Sequence, residues 1–286
     1  KAKRGKNKQG RSDCPQVVVG MVYDEQGFEL AHRTFAGNQS DSTSLVAMVE
    51  SLRRAAGYPE SEELLATAKV MVIVDAGVAT AGNLKLLAKA NFHYLVNDTR
   101  RGRKKWRTEF AQEDQFRPLP GRAGKSEVRV RALDLPAGPR LVLCKSQGRR
   151  EKELAIRSGA ETRFLSGLEK LHARLQKGQL TDPDKTQRAL GKLMARATRV
   201  QRFYQVKLQD SANLQAGLTW QRKDALSAED EQLLGCYVLR TDRSELSAEQ
   251  LWKLYILLSR AEDGFAALKG DLGLRPNYHQ LEGRVD

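Results

Sequence analysis

Two carboxylates of this chain stand where they could do chemistry, and Asp75 is the first. It directly follows residues 69–74 (KVMVIV), an apolar run that is too short for a normal helix and typical of a strand buried on both faces. Open α/β sheets bind ligands at the carboxyl ends of such strands. A second interpretation stays open, because an Asp here could simply cap the helix expected to begin near Thr80.

Glu262 is the second candidate carboxylate. Tyr255, Glu262 and Lys269 recur every seven residues in an amphipathic segment, which is close to two helical turns, so all three project from one helix face. A polar row of this kind is more often solvated surface than a site. Spacing alone therefore assigns no chemistry to it.

The other residue types that bind metals are scattered along the chain. Its 4 His show no HExxH-like spacing, and its 3 Cys are odd in number and far apart, which fits neither a disulfide framework nor a CxxC zinc site. Any metal must therefore be held by carboxylates.

The charge balance indicates a polyanionic partner. With 49 Lys+Arg against 35 Asp+Glu, the formal net charge is +14, which favours nucleic acid through phosphate contacts and counterion release. A basic protein with no nucleic-acid role and a membrane-surface binder are the alternatives. No apolar run approaches the roughly 20 residues that span a bilayer. We expect a cytoplasmic, nucleoid-associated protein that is neither secreted nor membrane-embedded.

The first part of the chain alternates strand and helix patterns. Two strand-like runs flank turn residues 24–27 and predict an antiparallel hairpin, and helix, strand, helix and strand patterns follow it. These segments are, in order, residues 16–23, 28–35, 45–56, 69–74, 83–90 and 92–96. The order predicts β-α-β units and a parallel section of sheet.

The second part is a basic loop, then short strands, then charged helices, then strands and a closing helix near residues 247–269. We divide the chain into a basic linker (1–15), the first part of an α/β core (16–102), an insertion that is first β-rich and then helical (103–235), and the C-terminal part of the core (236–286).

The motifs around these residues resemble those of the insertion-sequence-four group of bacterial DDE transposases. That family has a C-terminal signature Tyr-x2-Arg-x3-Glu-x6-Lys, whose Tyr, Glu and Lys positions hold Tyr255, Glu262 and Lys269 here, while Leu258 replaces the Arg. The other matching segments, in order along the chain, are FAGNQSD at 35–41, VIVDAGVA at 72–79 and RPNYH at 275–279.

The resemblance implies an α/β fold: an RNase H-like mixed sheet flanked by helices, with a large α+β insertion between the second and third catalytic carboxylates. In such enzymes three carboxylates hold two Mg²⁺ or Mn²⁺ ions about 4 Å apart. Asp75 and Glu262 would be the second and third of them, catalytic and metal-binding. Water would cleave DNA at the transposon end, and the freed 3′-OH would then attack the target.

The resemblance also implies which residues bind double-stranded DNA, both transposon ends and target. Tyr255 and Lys269 would position phosphates, and synapsis of two ends implies a homodimer on DNA. The basic loop would add sequence-independent affinity through Arg100, Arg101, Arg103, Lys104 and Lys105.

The first carboxylate of the triad has no clear match. Asp24 is better explained by the hairpin turn, and Asp13 lies in the linker. We therefore expect a chain that is truncated at both ends and catalytically incompetent by itself. Two alternatives remain, a non-catalytic DNA-binding remnant of a transposase and an RNase H-like nuclease that never joins strands.

Overall fold

The computed structural model describes residues 2–5, 14–55, 70–119, 126–136, 138–209 and 213–271, without the side chains of Asp41, Ala55, Arg260, Leu268 and Lys269. The chain divides into two compact units. The first comprises residues 1–103, 130–144 and 237–286, and the second comprises residues 104–129 and 145–236.

The first unit begins with the predicted hairpin, β1 (Val17–Tyr23) and β2 (Glu29–Ala36), which pair antiparallel. Asp24 forms the turn: its Oδ1 accepts hydrogen bonds from the backbone N–H groups of Gln26 (2.9 Å) and Phe28 (2.8 Å). This carboxylate is engaged in local turn structure, as the sequence predicts. Asp13 lies outside the described residues.

Helix α1 (Asp41–Ala55) packs on this hairpin and is followed by a β-α-β unit. Strand β3 (Met71–Val74), helix α2 (Ala81–Lys89) and strand β4 (His93–Asn97) form that unit, and β3 pairs parallel with β4. Buried Leu45, Val49, Leu87 and Phe92 make its core. The predicted parallel section of sheet is confirmed.

Four further strands join β3 and β4 in the main sheet: β5 (Arg117–Pro118), β6 (Val128–Leu133), β7 (Arg140–Ser146) and β10 (Cys236–Thr241). The six strands lie in the order β3-β4-β10-β7-β6-β5. Because β4 is parallel to β3 and antiparallel to β10, the sheet is mixed, and the expected mixed α/β architecture is confirmed.

Helix α7 (Ala248–Lys269) closes the first unit and packs against β3 and β4. Its start is a capping box, in which Ser247 Oγ accepts the Gln250 backbone N–H and Gln250 Oε1 accepts the Ser247 backbone N–H. Leu251, in the first turn, is fully buried. The helix is thus positioned at its N-terminal end by both capping and packing.

The second unit contains the helices α3 (Arg107–Ala111), α4 (Gln147–Gln176), α5 (Pro183–Arg196) and α6 (Asp224–Glu231) and the hairpin β8 (Tyr204–Leu208) with β9 (Leu218–Arg222). One face of α4 contributes Phe164, Leu168, Leu171 and Leu175 to its core, and the hairpin contributes Tyr204 and Leu218. Within the described residues, no helix of the chain is both long and apolar enough to cross a lipid bilayer.

Truncating Leu251 tests how strongly packing positions α7. We expect Leu251→Ala to lower the free energy of unfolding by about 2–5 kcal/mol, since it removes buried methyl groups and leaves a cavity. Urea denaturation followed by circular dichroism measures the change. Leu30→Ala, at a leucine that is 41% exposed, is the matched control and should change stability by less than about 1 kcal/mol. Equal losses would contradict this account of α7.

Candidate active site

Asp75 follows β3 directly and its side chain is exposed. Its Oδ1 accepts the backbone N–H of Ala76 at 2.8 Å, and its backbone carbonyl accepts those of Val78 and Ala79. Helix α2 is instead capped by Thr80, whose Oγ1 accepts the backbone N–H of Asn83 at 3.2 Å. The capping interpretation of Asp75 is therefore wrong, because Thr80 fills that role.

Asn83 holds the loop that follows Asp75. Its side-chain Nδ2 donates to two backbone carbonyls, those of Ser42 in α1 and Val78 in the loop, both at 2.7 Å. One amide thus ties the loop to the helix beside it. Sequence reasoning missed Asn83, since an Asn in the first turn of a helix carries no signal of such a long-range bond.

Tyr255 lies at the same end of the sheet as Asp75. The parallel register pairs Val74 with Val96, so the residues that follow, Asp75 and Asn97, are neighbours across the two strands. Asn97 is buried, and its Nδ2 donates to Tyr255 Oη at 2.9 Å. This bond joins β4 to α7 and places the Tyr255 hydroxyl near the carboxyl end of β3.

Tyr255 is also held by Tyr237 in β10, since their ring centroids are 6.0 Å apart with the planes tilted by 38°. Tyr237 Oη in turn accepts a hydrogen bond from Trp252 Nε1 at 2.8 Å, one turn earlier in α7. Three aromatic residues therefore fix the orientation of this part of the helix. The sequence indicated Tyr255 alone.

Glu262 is exposed and lies two turns beyond Tyr255, about 10 Å along the helix axis.

The turn of α7 that follows Glu262 packs on the hairpin: the rings of Phe265 and Tyr23 meet edge to face, with their centroids 6.4 Å apart. A Cβ added at Gly264 would lie 2.9 Å from Tyr23 Oη, so a side chain there would push the ring away. Burial, with a smaller contribution from the charge of Glu29, raises the pKa of Tyr23.

Among the described residues, no group of three or more His, Cys, Asp or Glu side chains is arranged to hold a metal ion. Oxygen donors on these elements include the exposed carboxylates of Asp75 and Glu262 and the buried amide oxygen Asn97 Oδ1, which has no hydrogen-bond partner within the part of the chain described. Hard oxygen donors of this kind suit Mg²⁺ or Mn²⁺. Their chemistry fits the expected ion.

One buried carboxylate is structural. Glu153 in α4 accepts the backbone N–H of Gly235 at 3.2 Å and pairs with Arg149 at 3.5 Å. Both bonds lie inside the second unit and hold the turn before β10, where Gly235 has a positive φ of 77°. These two partners explain how the Glu153 carboxylate can be buried.

The basic loop begins as β4 ends. Arg100 and Arg101 are exposed, and a 3₁₀ helix over Gly102–Trp106 follows, in which Lys104 and Lys105 are exposed as well. Arg103 is only 8% exposed, which makes it a weaker candidate for phosphate contact than the other four cations. Burial of one position within a run of cations could not be foreseen from composition.

The remaining signature residues are described in part or not at all. The backbone of Lys269 belongs to the end of α7, but its side chain lies outside the described residues, as does the segment 275–279. Gly37, in the segment 35–41, is buried against backbone: a Cβ there would lie 1.8 Å from the Gln16 carbonyl oxygen. Glycine at this position is therefore required by close packing of the chain.

The family model described as a transposase DDE domain matches residues 1–284. The chain belongs to this family. A comparison with curated proteins found no match. Membership implies a nuclease of DNA transposition that binds DNA, and DDE transposases generally use divalent metal ions. The six-stranded mixed sheet with its flanking helices is consistent with the RNase H-like fold of a DDE transposase.

Replacing Asn83 tests whether its amide holds the loop after Asp75 in this transposase. Asn83→Asp keeps the size of the side chain but removes both donors and places a carboxylate against two carbonyls. We expect a loss of about 1–3 kcal/mol in the free energy of unfolding and faster amide hydrogen exchange in residues 76–80.

Lys85→Ala, at an exposed position of the same helix, is the control and should leave exchange in this loop unchanged. Unchanged loop exchange in Asn83→Asp would show that the two bonds do not hold the loop.

Proposed function

We propose that this DDE transposase is of the insertion-sequence-four type, whose reaction is metal-dependent DNA strand cleavage and strand transfer at insertion-sequence ends. We propose also that the chain is inactive by itself, because Asp24, a candidate for the first carboxylate, is engaged in the hairpin turn. The observation that carries the proposal is the convergence at one end of the sheet, where Asp75 follows β3 and the Asn97–Tyr255 hydrogen bond brings in the helix that bears Glu262. The contact between Asn97 and Tyr255 supports the proposal, because it places part of the family signature on the helix beside the strand that follows β3.

In this proposal Asp75 and Glu262 hold Mg²⁺ or Mn²⁺, which when bound supplies charge neutralisation at the reacting phosphate. The chain itself orients the DNA. Tyr255, whose hydroxyl is already positioned by Asn97, would contact a phosphate near the cleaved bond. Asn83 keeps the loop beside Asp75 in place. Both Asn residues are positioning residues, which act through Tyr255 and the loop.

The basic loop supplies affinity for duplex DNA. Arg100, Arg101, Lys104 and Lys105 are exposed cations within six residues, and each phosphate neutralised releases counterions. Lys269 would add a further phosphate contact from the end of α7. We propose that two chains bind together on DNA, since transposition joins two transposon ends.

Metal binding is the first test. Calorimetric titration with Mn²⁺, with heparin present to occupy the basic surfaces, should show binding by the wild-type chain and its loss in both Asp75→Ala and Glu262→Ala. Asp263→Ala is the matched control: this carboxylate is exposed and adjacent to Glu262 but lies about 100° around the helix. It should bind Mn²⁺ as the wild type does.

Binding that is absent, or equal in all four proteins, would remove the proposed metal site. Assays on transposon-end duplexes then separate the remaining functions. Metal-dependent strand cleavage by the pure chain would contradict its proposed inactivity, and cleavage without joining would indicate an RNase H-like nuclease. DNA binding without either reaction and without Mn²⁺ binding would indicate a DNA-binding remnant.

A further inference from the structure

Helix α5 in the second unit has two sharply different sides. One side is packed on the core of that unit through Leu190, Leu193 and Met194, and Thr186 is buried as well. Asp182 caps the helix and its Oδ1 accepts the backbone N–H groups of Asp184 and Lys185. The helix is therefore firmly oriented, and its other side faces outward.

Four exposed cations form a row on the outward side. Lys185, Arg188, Lys192 and Arg196 follow at spacings of three, four and four residues, which places them one above the other on the helix. We call these four residues the α5 basic row. It extends about 16 Å along the helix axis.

Intramolecular charges do not explain this row. Lys185 pairs with Asp182 at 3.5 Å, but within the described ranges Arg188, Lys192 and Arg196 form no ion pair. Like charges at these spacings repel one another and weaken a helix. The neighbouring helix α4 is built differently, since its charges alternate in sign and include the pair Arg149–Glu153. The row is thus unfavourable for the isolated chain.

A glycine on the same exposed side of α5 also indicates a surface that binds a ligand. Gly191 stands in the middle of the helix, where glycine weakens helical structure, and a Cβ added there would meet nothing within 4 Å. Packing of the described residues therefore does not require it. With Ala195 it leaves a strip of small residues beside the cations, along which an extended ligand can approach the helix closely.

An extended polyanion suits this surface better than other anionic partners. A small anion would need a concave site, whereas the row runs along a convex helix. A helix that lies on a membrane must insert its apolar side, but here that side is packed into the core. Duplex DNA carries one negative charge for about every 1.7 Å of its axis, so it is opposite in charge to the row and offers phosphates along its whole length.

We propose that the α5 basic row is a second DNA-contact surface, which binds the phosphate backbone of duplex DNA without reading its sequence. It belongs to the second unit, whereas Asp75 and Glu262 belong to the first. The proposal rests on the proposed function only in taking DNA as the partner, and it does not depend on metal or on catalysis.

The test is the salt dependence of binding to a labelled 30-base-pair duplex of arbitrary sequence, followed by fluorescence anisotropy without metal. The variant Arg188→Gln/Lys192→Gln/Arg196→Gln should bind about tenfold more weakly at low salt. Each phosphate contact contributes about 0.9 to the slope of log K against log salt, so this slope should become shallower by about 2.7.

The matched control is Lys152→Gln/Arg163→Gln/Lys170→Gln in α4, which removes three exposed cations from the same unit and lowers the net charge equally. It should keep the wild-type slope. Equal effects of the two triple variants would show that only net charge matters, and no effect of the α5 variant would remove the row from the interface. Either result overturns the proposal.

Two further measurements complete the test. Loss of binding to anionic lipid vesicles in the α5 variant, with unchanged duplex binding, would also overturn the proposal in favour of a membrane partner. Manganese titration of the α5 variant should match the wild type, so that failure of the metal site and failure of the α5 basic row are seen separately.

Discussion

The parallel register of β3 and β4 is the constraint on which the candidate site depends. By pairing Val74 with Val96 it makes Asp75 and Asn97 neighbours, and the buried Asn97 amide then bonds to Tyr255 in α7. A buried amide that lost this acceptor would keep its desolvation cost without compensation, so the bond strongly favours one position of the helix. A slip of either strand would separate the signature residues.

Local structure around Asp75 leaves its carboxylate available. Thr80 caps α2, and Asn83 holds the loop by two bonds to carbonyl oxygens. Among the described residues, Asp75 Oδ1 accepts only the adjacent Ala76 N–H. The contrast with Asp24 is instructive, because its Oδ1 accepts two backbone N–H groups in the hairpin turn. Both residues follow apolar strands, but Asp24 is engaged in the hairpin turn, whereas Asp75 keeps an exposed carboxylate.

The positive charge of the chain is unevenly arranged. In α4 acidic and basic residues alternate and Arg149 pairs with Glu153, whereas the outward side of α5 carries the four cations of the α5 basic row. The cations after β4 form another such group, in which four are exposed and Arg103 is buried. A formal net charge of +14 therefore favours a polyanionic partner, and the distribution of the exposed cations indicates the surfaces on which we propose that it binds.

The sequence by itself determined the order and kind of most elements, because the apolar period that distinguishes a strand from a helix is local. The hairpin, the β3-α2-β4 unit and the seven-residue row of α7 were all readable from residues within one segment. It also indicated the family, through short motifs in order along the chain.

Only the tertiary structure decided which strands are neighbours, that Arg103 is buried, that Asn97 bonds to Tyr255 and that Asn83 holds the loop after Asp75. These facts rest on contacts between residues as far as 158 positions apart. Burial and long-range hydrogen bonds depend on what the rest of the chain brings to a residue, and no local pattern contains that information.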